Sequence, residues 1–142
     1  MNLFKLETVY AHCDIPCGIY DPKPSQIAAA TVLKMVQKIN ELVETDAYKN
    51  MDVNAMANFS RMVMVKEEHG RKCKDELLVL WTDFFKPEDL TMYPKLHETI
   101  WTTTKLISKN KQEVNLEAAE QLVKSVNEIA EMFEKVNASR KK

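Results

Sequence analysis

LEAAEQLVKSVNEIAEMFEKV, residues 116–136, is the stretch that decides the fold. Leu116, Ala119, Leu122, Val123, Val126, Ile129, Ala130, Phe133 and Val136 recur at steps of about three and four residues, which puts them on one face of a helix. Asn115 stands where an N-cap belongs, and Glu117 puts negative charge in the first turn, where it complements the helix dipole. Upstream, Asn110 to Asn115 is polar and reads as a loop. A third helix is expected from about Pro87 to Ser108, carrying Leu90, Leu96, Ile100, Trp101 and Leu106, with Pro94 as a kink or turn near its start. Pro87 ends the element before it, because the residue preceding a proline is pushed away from helical angles.

That second helix runs from near Asp52 to about Phe84, with Met56, Phe59, Met62, Val63, Val65, Leu77, Leu78 and Trp81 among its apolar positions and Gly70 in its middle. The first opens at Asp21-Pro22, with Asp as N-cap and Pro at the first helical position, and shows Ile27, Leu33, Val36, Ile39, Leu42 and Val43 on one face. It is expected to stop near Thr45-Asp46. No strand-like alternation competes. Four amphipathic helices joined by short loops specify an all-α, antiparallel, up-down-up-down four-helix bundle. The methionines read as core filler among other apolar residues, and the closing Ser139 to Lys142 as a solvated tail.

At 142 residues the chain is long enough for one domain with a buried core. A net charge of −1 gives no basic excess to argue for nucleic acid or an anionic membrane surface. No apolar run approaches bilayer length. Three cysteines, an odd number, do not describe a disulfide framework and fit a reducing compartment; residues 1–11 lack the apolar segment of a secretory signal, so a cytoplasmic location is expected.

The chemistry concentrates in HCDIPCGIYDP, residues 12–22. His12, Cys13 and Cys17 bring an imidazole and two sulfurs within reach of one metal ion, and such donors suit zinc, copper or nickel rather than magnesium or calcium. Pro16 and Gly18 favour a tight, non-helical hook. On the bare residues, two cysteines four positions apart can bind a metal, form a disulfide or do neither. A third cysteine three positions on, as a radical iron–sulfur site requires, is absent, because position 20 is tyrosine. A four-ligand zinc site lacks a second close pair.

HCDIPCGIYDP resembles the nickel hook of the nickel-containing superoxide dismutases, whose pattern is His-Cys-Asp-x-Pro-Cys-Gly-x-Tyr-Asp-Pro. Leu80-Trp81-Thr82-Asp83-Phe84-Phe85-Lys86-Pro87 and Tyr93-Pro94-Lys95-Leu96-His97 resemble that family's second block. The resemblance implies a propeptide, residues 1–11, cut by a processing protease between Ala11 and His12, leaving one domain at 12–142 with its hook at 12–20. It further implies one nickel ion per subunit, held by the freed amine of His12, the Cys13 amide, the Cys13 and Cys17 sulfurs and an axial His12 imidazole. A planar nitrogen–sulfur set suits nickel(II) or copper(II); the resemblance selects nickel. The implied reaction converts superoxide to dioxygen and hydrogen peroxide by Ni(III)/Ni(II) cycling, in a homohexamer. Tyr20 is implied to line the small-anion pocket, and Asp14 and Pro16 to shape the hook.

Three positions depart from the family pattern. The glutamate that holds the axial imidazole in some members falls on Ala28, and the helical arginine on His69. His69 is the candidate to orient His12 instead, since ligating imidazoles usually hand their second N–H to another group. A tyrosine of the second block is Phe84 here, so one pocket hydroxyl is missing. Cys73 has no motif partner and reads as a buried apolar residue, and His97 as packing or capping. The competing reading is a non-enzymatic helical protein using Cys13 and Cys17 as a reversible dithiol or a metal clip.

Overall fold

The computed structural model describes residues 19–140, and the expectations for His12, Cys13, Asp14, Pro16 and Cys17 lie outside them. Four long helices carry the fold: α1 (Lys23–Val43), α3 (Val53–Val79), α4 (Leu96–Gln112) and α5 (Leu116–Arg140), with a single-turn α2 (Asp46–Lys49) between the first two. No strand occurs among the described residues. Side-chain oxygens near three of the starts accept from the first-turn amides. Asp21 Oδ1 accepts from the Lys23 amide at 2.8 Å, Asp52 Oδ1 from Asn54 and Ala55 at 3.0 Å, and Asn115 Oδ1 from Ala118 at 3.0 Å.

Side-chain bonds fix the antiparallel order. Gln26 of α1 donates to Asn127 of α5 at 2.9 Å, and Lys66 of α3 reaches the end of α4. The main core joins Ala28, Ala29 and Val32 of α1, Cys73 and Leu77 of α3, Ile100 and Ile107 of α4, and Leu122 through Val136 of α5. The expected up-down-up-down bundle is the observed one.

Local departures have physical causes. The third helix begins with a 3₁₀ turn, Pro87–Thr91, and becomes α-helical only at Leu96, because Pro94 lacks the amide that would continue it. Asn110 is helical and buried rather than part of a loop: its Nδ2 donates to the carbonyls of Leu106 at 3.0 Å and Ala118 at 2.9 Å, joining α4 to α5. Ile27, expected on the apolar face of α1, is 55% exposed. None of the described methionines is fully buried; Met132 packs against the core half-buried, and Met51, Met64 and Met92 are exposed, so the core-filler reading fails for those three.

Lys66, a charged residue in a charged stretch, is buried. Its Nζ donates to the carbonyls of Asn110 at 2.6 Å and Lys111 at 2.7 Å, with Glu67 at 3.6 Å. It caps the C-terminus of α4 from a neighbouring helix, where the unpaired carbonyls present partial negative charge. Burial lowers the Lys66 pKa, and the carboxylate of Glu67 opposes that shift.

Candidate metal centre

The described chain meets the hook at Ile19 and Tyr20, so the site is built up from Tyr20. The Tyr20 ring stands edge-on to Phe84, with centroids 5.7 Å apart. Phe84 ends α3 in a wide turn, Leu80–Phe84, in which the Phe85 amide bonds the Leu80 carbonyl, five residues back, at 3.0 Å. Turns of this kind recur at functional sites. The backbone becomes extended at Phe85, and both phenylalanines are buried, 5.1 Å apart, with Phe133 of α5 4.1 Å from Phe84.

Arg140 locks this floor. Its guanidinium lies over the Phe84 ring at 4.6 Å and donates to the Phe84 carbonyl at 3.0 Å and to Asp89 at 2.5 Å. A residue expected in a solvated tail thus fixes the residue under Tyr20. On the other side of the turn, the Trp81 indole N–H donates to His97 Nδ1 at 2.8 Å, tying the turn to the first turn of α4. These supports went unseen in the sequence. The one local signal for them is two consecutive phenylalanines before Lys86-Pro87, too many apolar residues in a row for one helical face.

His69 is half-buried on α3, and its Nδ1 lies 2.9 Å from the Val65 carbonyl. A carbonyl accepts only, so Nδ1 donates this bond and Nε2 is the ring nitrogen left for another partner. Ala28 is buried in the core and offers no donor. Cys73 is fully buried against the same core, and burial, with Glu76 nearby, pushes its thiol from 9.0 up to about 12. It supplies no thiolate at neutral pH. Among the described residues no group of three His, Cys, Asp or Glu side chains could hold a metal ion.

An all-α bundle whose first helix follows, in the sequence, a segment bearing His12, Cys13 and Cys17 belongs to the class of helical-bundle proteins. The comparisons with known proteins make this specific. The family model for nickel-containing superoxide dismutase matches residues 7–137. The nickel superoxide dismutase of Streptomyces coelicolor is 36% identical over 105 residues, covering 73% of this chain and 71% of that one. The one from Streptomyces seoulensis is 31% identical over 126 residues, covering 88% and 87%. A native nickel superoxide dismutase structure superposes with a TM-score of 0.73 at 28% identity, covering 89% of this chain and 99% of that one. The chain belongs to the nickel-containing superoxide dismutase family. It is therefore a nickel-dependent oxidoreductase that dismutes superoxide to dioxygen and hydrogen peroxide by Ni(III)/Ni(II) cycling.

Proposed function

We propose that residues 1–11 are a leader removed by a processing protease, and that residues 12–142 form the mature subunit with its nickel hook at 12–20. What supports the reading is the sequence HCDIPCGIYDP at residues 12–22, which begins at the proposed cut. In this reading nickel would be held by the Cys13 and Cys17 thiolates, the freed His12 amine, the Cys13 amide and the His12 imidazole. The observation that carries the assignment is the state of the remaining donors. Cys73 is buried and protonated, and the described residues hold no competing metal cluster. Thiolate, amine and amide donors fit nickel, which when bound would supply a one-electron couple.

The chain's own residues do the rest. Tyr20, braced on Phe84, positions water or the small anion. With Phe84 in place of a tyrosine, that task falls more heavily on Tyr20. Asp14 and Pro16 hold the hook's turn. His69, whose Nδ1 is engaged by the Val65 carbonyl, orients the His12 ring through its other nitrogen, where Ala28 offers no carboxylate. The enzyme acts as a homohexamer in the cytoplasm. No helix among the described residues is long and apolar enough to cross a membrane.

Intact-mass analysis of purified protein tests this reading. The expected product lacks Met1 to Ala11 and carries one nickel per chain. An uncut chain holding zinc, or a Cys13–Cys17 disulfide in active protein, would refute it.

A further inference from the structure

The α4–α5 hairpin is shorter than the α1–α3 hairpin it packs on. The end of α4 is fixed at the level of Lys66, and a Cβ on Gly70 would meet the Lys111 and Ile107 side chains. Asn110 places the start of α5 at the same level through Ala118. Residues 53–65 of α3 therefore run beyond α4, an overhang of about 20 Å at 1.5 Å per residue. The C-terminal half of α1 and all of α2 accompany them. None of the arm's residues belongs to the main core cluster.

The arm holds only a thin apolar seam of its own, Val36, Ile39 and Ala55, with Tyr48 and Phe59 stacked 5.3 Å apart. Outside that seam it displays apolar side chains: Met51 is 72%, Val53 80% and Met64 70% exposed. Met51 adopts φ 58° at the end of α2, where glycine is favoured, so an apolar side chain is kept at the tip despite local strain. Methionine-rich faces of this kind suit docking, because the thioether repacks readily against a partner.

Charge on the arm is divided along its length. The tip, residues 41–52, carries four exposed carboxylates (Glu41, Glu44, Asp46, Asp52) against Lys49, formally −3. The root carries exposed Lys34, Lys38 and Arg61, formally +3. Lys38 and Arg61 flank a groove of about 290 Å³ floored by Met35, Met62 and Val65.

We propose that this arm is where a second copy of the chain docks, arm against arm and antiparallel about a two-fold axis. That arrangement seats each acidic tip on the other copy's basic root and turns two helical hairpins into a four-helix contact. An isologous interface requires such self-complementarity, and the arm's charge division supplies it. The inference rests on the oligomer proposed above and names one of its contacts.

Sedimentation velocity on the full chain tests it with two charge-reversed variants at exposed positions. The root variant is Lys38→Glu with Arg61→Glu; the tip variant is Glu41→Lys with Glu44→Lys. Each alone should self-associate at least about tenfold more weakly, since like charges then face each other across the contact. Helix content should be unchanged. Mixed in equal amounts, the two should regain the parent's mass, because each root again meets a tip of opposite sign. If the parent associates and both variants match it, or the mixture stays dissociated, the arm inference fails while the oligomer stands. If the parent itself is a monomer, the oligomer and the arm contact fall together.

Discussion

Replacing Lys66 by methionine keeps the bulk of the side chain and removes the buried ammonium that caps α4. Two opposing effects decide the outcome. The parent ammonium makes two bonds of 2.6 and 2.7 Å to the Asn110 and Lys111 carbonyls, and methionine strands both. A buried polar group left without a partner costs about 1–3 kcal/mol, so the loss is roughly 2–6 kcal/mol. Against it stands the desolvation of the ammonium, several kcal/mol in real proteins, which methionine relieves. The parent recovers part of that desolvation through Glu67 at 3.6 Å and through the negative end of the α4 dipole. The net expectation is a destabilisation of about 2–3 kcal/mol, or roughly 10 °C in Tm for a domain of this size. Urea and thermal unfolding followed by far-ultraviolet circular dichroism measure it, with an unchanged m-value showing that two-state unfolding persists. A Lys66→Met protein as stable as the parent, or more so, would refute the capping role and make the lysine a net burden on the fold.

Two further outcomes follow from the site. The Cys73 thiol is held at about 12 in the folded chain against 9.0 unfolded, so above pH 9.0 the unfolded chain releases a proton that the native one keeps. Stability should then fall with rising pH between those values by about 1.4 kcal/mol per unit more than in Cys73→Ser, as read from urea midpoints; parallel curves would contradict the burial argument. Arg140→Gln should cost about 1–2 kcal/mol, discounted for the partial exposure of the Arg140–Asp89 pair. Unfolding by urea checks this, and an unaffected midpoint would mean that Phe84 does not depend on its clamp.

The helices were legible because their apolar residues recur on one face and because Asp21, Asp52 and Asn115 announce their starts within three residues. What was illegible depends on partners distant in the chain. Lys66 reads as surface until the carbonyls of Asn110 and Lys111 arrive 44 and 45 residues later. Arg140 reads as a tail until it meets Phe84, 56 residues before it. Met51 and Met64 lie on the arm that the shorter α4–α5 hairpin leaves uncovered, which periodicity alone could not show. The hook was the most legible segment chemically, since nine fixed positions within residues 12–22 carry donor and turn residues of one kind of site. Only Tyr20 of its proposed functional residues is tied to the described fold by a ring contact.

The most direct measurement is electron paramagnetic resonance of nickel-loaded, processed protein, compared with His12→Gln. The ligand set predicts a rhombic Ni(III) signal split by a single axial nitrogen in the parent and absent from the variant. An identical spectrum from both proteins would contradict the assignment of His12 as the axial donor, and with it the hook as the metal's seat.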